Sequence, residues 1–400
     1  MSGHFFNWLG VGRLLVVAGG KSPFAQLSLG GFSSCFDFFV KIPQMEKILT
    51  LVDGSTISGE SFGADTTAAG EVVFATGMVG YPESFTDPSF TGQILVLTYP
   101  LVGNYGVPEH GTWSMKHGTK VLENFESEKI QIAGLIVSEY SEKYSHHAAK
   151  ESLAAWLQRE GIPAITGVDT RALTQKLRDH GTILGELANV KKTDKKFYDP
   201  NKEHLVARVS PTKPQFFQNG KKTVAILDCG MKLNILRNFL DRGVSVWHLP
   251  HDADLSKYEF DGLFISNGPG DPVFAREAIE SIRRELKNNK PIFGICLGNQ
   301  LLALAAGMTT EKLPYGHRSQ NQPVRELATG KCFVTSQNHG FTVSRQMKDG
   351  FEVAFENIND GSVEGLRHKT KPFFSVQFHP EATPGPTDAE YLFDEFVAKL

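Results

Sequence analysis

The sequence predicts an α/β protein in which a mixed α/β domain precedes a C-terminal, doubly wound and mainly parallel sheet. After residue 223, short apolar runs alternate with amphipathic helical segments. Residues 47–106 contain short strands separated by turn signals, and the polar, lysine-rich segment 187–222 lies between the two patterns. We therefore predict a leader over 1–45, a domain over 46–190, a linker over 191–222 and a domain over 223–400.

The composition is that of an ordinary globular protein, with 40% hydrophobic and 21% charged residues among 400. A formal net charge of −3 gives no electrostatic reason to expect a nucleic acid or an anionic membrane as partner. The four cysteines have no paired spacing, so we expect no disulfide framework, no zinc site and a reducing compartment. No apolar stretch approaches the length of a spanning helix.

Residues 1–45 differ from the rest of the chain because they are rich in Phe, Gly and Ser and contain one acidic residue, Asp37. This composition favours an organelle-targeting extension, with the mitochondrion as the expected intracellular destination and the cytoplasm as the alternative. The other interpretation is an N-terminal leader without a targeting signal.

In the first domain, a hairpin forms around the Asp53-Gly54 turn, because this dipeptide accepts the positive φ angles of a tight connection. Further strands are expected at 71–74 and 93–98, and helical spacing of apolar residues occurs at 146–159 and 169–180.

The second domain is expected to contain five strands and four helices in alternation. The strands are predicted at 223–227, 244–249, 262–265, 291–293 and 373–378, and the helices at 234–241, 274–288, 297–306 and 388–399. Glycine- or histidine-containing loops follow several of these strands. Because ligands bind outside the carboxyl ends of parallel strands, we expect the functional site at these loops.

Cys296 lies in such a loop, within Gly294-Ile-Cys-Leu-Gly298. A nucleophile on a sharp turn between strand and helix needs small neighbours, because larger side chains would clash with the backbone or block the substrate. The following helix start offers unpaired N–H groups that favour a thiolate and an oxyanion. Cys296 is therefore the predicted nucleophile, whereas Cys35, Cys229 and Cys332 are expected to be core filler.

His379 and Glu381 are the predicted base and its orienting partner. They lie two residues apart in Phe378-His-Pro-Glu381, and alternate residues of an extended segment point to the same side. A carboxylate in this position would hold the imidazole in one tautomer and stabilise its charged form. The tight loop Asn267-Gly-Pro-Gly270 could supply oxyanion donors together with the N–H of Leu297. By contrast, His248 and His339 are expected to be structural.

The cysteine motif Gly294-Ile-Cys-Leu-Gly298 and the histidine motif Phe378-His-Pro-Glu381 resemble those of class I, triad-type glutamine amidotransferases. Asn267-Gly-Pro-Gly-Asp-Pro272 and Ser336-Gln-Asn-His-Gly-Phe341 strengthen the likeness. Four segments of the first domain resemble the small subunit of carbamoyl-phosphate synthetase, namely Gly70–Phe74, Gly80–Glu83, Thr86–Phe90 and Gly103–Gly106. The resemblance extends from about Glu46 to Leu400.

The resemblance implies that Cys296 attacks the carboxamide of glutamine and that His379 and Glu381 complete the triad. It also implies a set of glutamine contacts: Ser89, Gly268, Gly270, Leu297, Gln300, Asn338, Gly340 and Phe341. Ammonia would pass to a large ATP-dependent synthetase, as a separate subunit or a fused domain, which makes carbamoyl phosphate from bicarbonate. ATP and Mg²⁺ are then expected only in that partner, and no cofactor or metal in this chain.

The branch of the family stays open at this point. Many members have histidine where this chain has Asn299, and the urea-cycle-type synthetases resemble this chain there. Other segments are closer to the fused pyrimidine-pathway protein, so both the pyrimidine and the arginine or urea pathways fit. Two other functions compete: a docking module that has lost its chemistry, and a glutaminase for another synthetase, such as those making GMP or anthranilate. The retained triad disfavours the first, and the N-terminal domain disfavours the second.

Overall fold

The structure is a computed structural model that describes residues 24–26, 39–41, 46–109, 113–116, 119–189 and 197–400. It divides into two compact units, Met1–Met45 and Glu46–Leu400. In the first unit, strands β1 (Phe24–Gln26) and β2 (Phe39–Lys41) pair antiparallel. Most of the predicted leader lies outside the described residues, as does Cys35.

Among its described residues, the first part of the second unit contains thirteen strands and three helices. In chain order they are β3 (Glu46–Leu51), β4 (Thr56–Ser61), β5 (Ala68–Ala75), α1 (Tyr81–Thr86), β6 (Gln93–Leu97), β7 (Leu101–Val102), β8 (Val107–Pro108), β9 (Trp113–Lys116), β10 (Thr119–Leu122), β11 (Gly134–Ile136), β12 (Glu139–Tyr140), β13 (Ala149–Glu151), α2 (Leu153–Arg159), β14 (Ala164–Thr166), α3 (Thr170–His180) and β15 (Ile183–Asn189).

Seven of these strands close into a barrel in the order β11-β14-β4-β3-β15-β5-β6. The alternation of side chains along a strand divides its apolar residues between two cores. Val72 packs in the cluster that contains Leu173 of α3, whereas its neighbour Val73 packs in the cluster that contains Trp156 of α2. The predicted hairpin at Asp53-Gly54 is confirmed as β3 and β4.

One predicted helix is shorter than the pattern suggested. Residues 146–159 have helical spacing, yet the helix begins only at Leu153 because Ala149–Glu151 pairs with β8 instead. Ser152 caps the helix, and its hydroxyl accepts a hydrogen bond from the N–H of Ala155 at 3.2 Å.

The remaining part of the second unit contains ten strands and five helices. In chain order they are α4 (Val206–Val209), β16 (Gln215–Phe217), β17 (Thr223–Asp228), α5 (Leu233–Asp241), β18 (Ser245–Pro250), β19 (Gly262–Ile265), α6 (Arg276–Glu285), β20 (Ile292–Ile295), α7 (Leu297–Ala305), β21 (Thr310–Glu326), β22 (Cys332–Val343), β23 (Phe351–Asn357), β24 (Val363–His368), β25 (Phe373–Val376) and α8 (Tyr391–Val397). Single 3₁₀ turns occur at Pro88–Phe90, Pro200–Lys202, Leu255–Lys257 and Pro272–Phe274.

All ten strands join one sheet in the order β16-β18-β17-β19-β20-β25-β24-β22-β21-β23. Helices cover both faces, because Phe264 packs in a cluster with residues of α5 and α8, and its neighbour Leu263 packs in a cluster with residues of α6 and α7. The five predicted strands and the four predicted helices are confirmed, with small shifts of their ends. Strand β16 lies within the segment predicted as a linker and pairs with β18.

The prediction of a mainly parallel sheet needs correction. Only β18, β17, β19, β20 and β25 run parallel to one another, and the other strands pair antiparallel. Parallel neighbours need a crossover of a dozen or more residues, whereas β21 ends at Glu326 and β22 begins at Cys332. A connection of that length permits only a hairpin, so β21 and β22 are antiparallel.

Candidate active site

Cys296 lies at the junction between β20 and α7, where the backbone makes a sharp turn. Its φ angle is 55° and its ψ angle is −106°, a conformation that residues with a Cβ rarely adopt. The chain is crowded on both sides: a Cβ on Gly294 would lie 2.6 Å from the carbonyl oxygen of Gly298, and one on Gly298 would lie 2.2 Å from that of Ile265. The glycines are therefore required by close backbone contacts at the elbow.

His379 follows β25 and is held next to the elbow. Its N–H donates to the carbonyl of Ser336 at 2.9 Å, which ties the histidine segment to β22. Its Nδ1 lies 2.6 Å from Oε1 of Glu381, and both side chains are buried. The Nε2 atom of His379 is buried and has no hydrogen-bond partner among the described residues. It is therefore available to a reacting group.

A buried lysine completes this group of charges. Nζ of Lys232 lies 3.2 Å from Oε1 of Glu381 and donates to the carbonyl of Ala382. Burial opposes ionisation of Glu381, yet the charges of Lys232 and His379 lower the pKa of Glu381 to about 2. Burial likewise opposes the charged form of His379, but Glu381 and the adjacent Cys296 raise the pKa of His379 to about 10. The site thus favours an imidazolium beside the sulfur.

A pocket of about 400 Å³, including its open mouth, lies against Cys296. All eight residues that the sequence predicted as glutamine contacts line it together with the cysteine: Ser89, Gly268, Gly270, Leu297, Gln300, Asn338, Gly340 and Phe341. The structure therefore brings the predicted contacts together from both parts of the second unit. A second cavity borders His379 and Lys232, and Arg318 and Asn338 line both cavities.

The first part of the second unit, which contains the barrel, reaches this pocket through the 3₁₀ turn at Pro88–Phe90. The carboxylate of Asp87 accepts from the N–H of Ser89 at 2.9 Å and from Nδ2 of Asn338, also at 2.9 Å. The side chain of Asn267 donates to the hydroxyl of Ser89 at 3.0 Å. One carboxylate from the barrel thus positions the serine and the asparagine that the sequence predicted as substrate contacts.

Gln300 and Asn299 lie on the first turn of α7 and differ in orientation. Nε2 of Gln300 donates to the carbonyl of Phe341 at 2.8 Å, and the residue lines the pocket. Asn299 is fully buried: it donates to Oε1 of Gln377 at 3.1 Å and accepts from the hydroxyl of Ser375 at 2.8 Å. The amide at position 299 is therefore satisfied within the fold and outside the pocket lining.

Sequence reasoning missed several residues of this site, among them Lys232, Asp87 and Arg318. The first follows β17 in an unremarkable segment, and the second resembles an ordinary helix cap. Arg318 lies in β21, which was not predicted, and its buried guanidinium donates to the carbonyl of Tyr315 at 2.8 Å. No periodic or spacing signal in the sequence distinguishes these residues, because their importance comes from contacts with distant segments.

Among the described cysteines, Cys229 follows its prediction as a buried core residue, whereas Cys332 does not. Cys229 is buried, and burial raises the pKa of its thiol. Cys332 is exposed at the start of β22, so its prediction as core filler is wrong. Side chains alternate between the two faces of a strand, and Cys332 lies on the face that is open to solvent. His248 contacts Asp228, and His339 contacts the carbonyl of Phe341 at 2.8 Å.

Within the described residues, metal-ligating side chains cluster in threes at two places, His204–His251–Glu277 and His317–His339–Glu364. Neither group contains Cys296, His379 or Glu381. Among the same residues, every helix is too short or too polar to cross a lipid bilayer.

Comparison with known proteins identifies two families along the chain. Residues 49–187 match the family described as carbamoyl-phosphate synthase small chain, CPSase domain, and residues 225–399 match glutamine amidotransferase class-I. The carbamoyl phosphate synthase arginine-specific small chain of Emericella nidulans is 49% identical over 366 residues, which cover 89% of this chain and 80% of that protein.

Longer relatives match the same region. Multifunctional protein pyr-3 of Neurospora crassa is 49% identical over 384 residues, and multifunctional protein URA2 of Saccharomyces cerevisiae is 47% identical over 386 residues. Each match covers 87% of this chain, but the chain spans only 21% of pyr-3 and 17% of URA2.

Proposed function

Because the chain belongs to the carbamoyl-phosphate synthase small-chain family, we propose that it hydrolyses glutamine and delivers the ammonia to a synthetase partner that makes carbamoyl phosphate. The observation that carries the proposal is the convergence of Cys296, His379 and Glu381 beside a pocket lined by every predicted glutamine contact. The partner is a large ATP-dependent subunit or a fused domain. ATP and Mg²⁺ act there, and the chemistry at Cys296 itself uses no cofactor.

In the first half of the reaction, the Cys296 thiolate attacks the carboxamide carbon of glutamine and forms a tetrahedral intermediate. Backbone N–H groups at the start of α7 and in the Gly268–Gly270 loop stabilise the oxyanion. The imidazolium of His379 donates its Nε2 proton to the amide nitrogen, the C–N bond breaks, and ammonia leaves. A γ-glutamyl thioester remains on Cys296.

In the second half, His379 accepts a proton from water, which attacks the thioester carbon. The C–S bond then breaks, so glutamate leaves and the thiolate is restored. Glu381 keeps the Nδ1–H of the imidazole oriented throughout, and Lys232 keeps that carboxylate ionised. The cavity on the His379 side gives the released ammonia a way out of the pocket.

The central experiment assays carbamoyl phosphate synthesis by wild type and Cys296→Ser together with the large partner, with glutamine or ammonium as nitrogen donor. We expect the variant to lose glutamine-driven synthesis and to keep ammonium-driven synthesis. Cys332→Ser is the matched control, because this cysteine is exposed and is not among the residues that line the pocket. Glutamine-driven synthesis by Cys296→Ser would reject the nucleophile, and its absence in wild type would favour the docking module.

The domain limits and the compartment belong to the same proposal. We assign the small-subunit domain to 46–190, the linker to 191–222 and the doubly wound glutaminase domain to 223–400, which agrees with the matched ranges 49–187 and 225–399. Limited proteolysis that cuts first within 191–222 would support these limits. We propose that residues 1–45 are a mitochondrial targeting sequence. Import of a reporter fused to this segment tests the proposal, and a reporter that stays in the cytoplasm would contradict it.

A further inference from the structure

His204, His251 and Glu277 form a cluster of metal-ligating side chains outside the candidate active site. One ligand atom from each residue lies within 4.8 Å of the other two. The two imidazole rings pack edge to face with their centroids 5.1 Å apart. Two imidazoles and one carboxylate are a ligand set that divalent transition metals use in proteins.

The two histidines have unused nitrogen atoms at this place. Nε2 of His204 and Nδ1 of His251 are buried, and neither has a hydrogen-bond partner among the described residues. A buried polar atom without a partner costs about 1–3 kcal/mol, so it calls for an explanation such as an ion.

The second histidine cluster shows what a satisfied arrangement looks like. In that cluster Nδ1 of His317 lies 3.0 Å from Oε1 of Gln337, and Nε2 lies 2.8 Å from Asp360. Both ring nitrogens of His339 also have partners, at 2.8 and 3.0 Å. These imidazoles stabilise β21 and β22 through hydrogen bonds and have no free nitrogen for an ion, in contrast with the pair at His204 and His251.

The cluster lies next to the glycine loop of the pocket. His204 precedes Leu205, whose side chain packs against Gly270: a Cβ on that glycine would be 3.4 Å from Cβ of the leucine. His251 follows β18, and its N–H donates to the hydroxyl of Ser210 at 2.9 Å. Glu277 lies in the first turn of α6, the helix that follows the loop. The three ligands thus come from three segments, of which one packs against the loop and one follows it in sequence.

We propose that His204, His251 and Glu277 bind a zinc-class divalent ion that holds these three segments together around the Gly268–Gly270 loop. Zinc lies about 2.0–2.2 Å from nitrogen and oxygen ligands, so the ligand atoms must approach each other on binding. The exposed side chain of Glu277 can move to allow this. With three protein ligands, water occupies the fourth position.

Direct binding tests the site without any assay of activity. The full chain is freed of metal and titrated with Co²⁺, whose visible absorption reports coordination, and with Zn²⁺ by calorimetry. We expect one ion per chain at this site and a loss of affinity of about 100-fold or more in His204→Gln and in His251→Gln. His180→Gln is the matched control, because His180 is exposed and outside both clusters.

Glu277→Gln provides a second variant in case the histidine variants fold poorly, since its side chain is exposed. Reduced Co²⁺ absorption in this variant, with an unchanged circular dichroism spectrum, would support the site. Absence of binding by wild type, or unchanged binding by Glu277→Gln and both histidine variants, would overturn it.

The effect on the loop rests on the proposed function and is measured separately. With the large partner present, we expect saturating Zn²⁺ to lower the KM for glutamine about three- to tenfold and to leave ammonium-driven synthesis unchanged. His251→Gln should abolish the response. If the metal binds at the cluster but the KM does not respond, the site stands and its influence on the loop is refuted. If no glutamine is hydrolysed at all, the proposed function fails, while the binding result still decides the site.

Discussion

The barrel and the ten-stranded sheet both reach the candidate active site, but they contribute different kinds of residue. The sheet supplies Cys296, His379 and Glu381 from the ends of two adjacent parallel strands, β20 and β25. The barrel supplies Asp87 and Ser89, which contact the pocket walls rather than the cysteine–histidine pair. Under the proposed function, the sheet performs the chemistry and the barrel positions the substrate.

The pocket is therefore incomplete without both the barrel and the sheet. The buried pair Arg237–Glu126 joins them, and the guanidinium also donates to the carbonyls of Leu122 and Phe125 at 2.9 and 3.1 Å. A change in the sheet should therefore lower kcat, a change in the barrel should raise KM, and a change at the joint should lower stability. Four measurements test this division.

The largest expected effect is that of Glu381→Gln on the sheet side. The variant loses the carboxylate that orients and charges His379, so kcat for glutamine hydrolysis should fall by roughly 10³–10⁴-fold while KM changes little. Steady-state release of glutamate with the partner present measures both constants, and Glu352→Gln, at an exposed position, is the control. A higher KM with unchanged kcat would place Glu381 among the binding residues and contradict the division of roles between sheet and barrel.

The next effect concerns the joint between the two parts. Arg237→Met leaves Glu126 ionised or protonated without its buried partner, and breaking such a pair costs about 3–5 kcal/mol of unfolding free energy. Urea denaturation measures the loss. The double variant Arg237→Met/Glu126→Gln should recover part of it, because no unpaired charge remains. Strictly additive losses would show that the two side chains do not stabilise each other.

A smaller effect, dependent on pH, is expected for Glu83 on the barrel helix α1. Burial raises the pKa of Glu83 to about 7, above its ordinary value of 4.5. The folded protein therefore holds a proton that the unfolded chain releases, so this group lowers stability as pH rises from about 4.5 through 7. Relative to wild type, Glu83→Gln should gain roughly 2 kcal/mol between pH 5 and pH 8, measured by urea denaturation. A difference that does not vary with pH would contradict the buried, protonated carboxyl.

The smallest effect is expected for Ser89→Ala, the barrel residue that lines the pocket. The variant loses the hydrogen bond that Asn267 donates to the Ser89 hydroxyl, which is worth about 1 kcal/mol. The KM for glutamine should therefore rise roughly fivefold, while kcat stays nearly unchanged. Ser58→Ala, on an exposed strand position, is the control. A fall in kcat comparable to that of Glu381→Gln would mean that the barrel takes part in the chemistry.

Local signals in the sequence predicted much of the fold. Asp53-Gly54 marked the first hairpin, and β19 has the predicted bounds, Gly262–Ile265. The long strands β21 and β22 were not predicted because glycine, proline and polar residues interrupt their apolar pattern, and one face lies at the pocket or in solvent. Ala149–Glu151 became a strand against helical spacing because a neighbouring strand was available for pairing.

The order of residues along the chain is enough to identify the candidate nucleophile, its base and its orienting carboxylate. Tight glycine flanks and a two-residue spacing are local requirements, so they are visible along the chain. The groups that charge and position them become visible only in the folded chain. Asp87 contacts Asn338 across 251 residues of sequence, and Lys232 contacts Glu381 from a segment with no motif of its own. Burial makes these contacts strong because water no longer screens the charges, and burial is a property of the packed molecule alone.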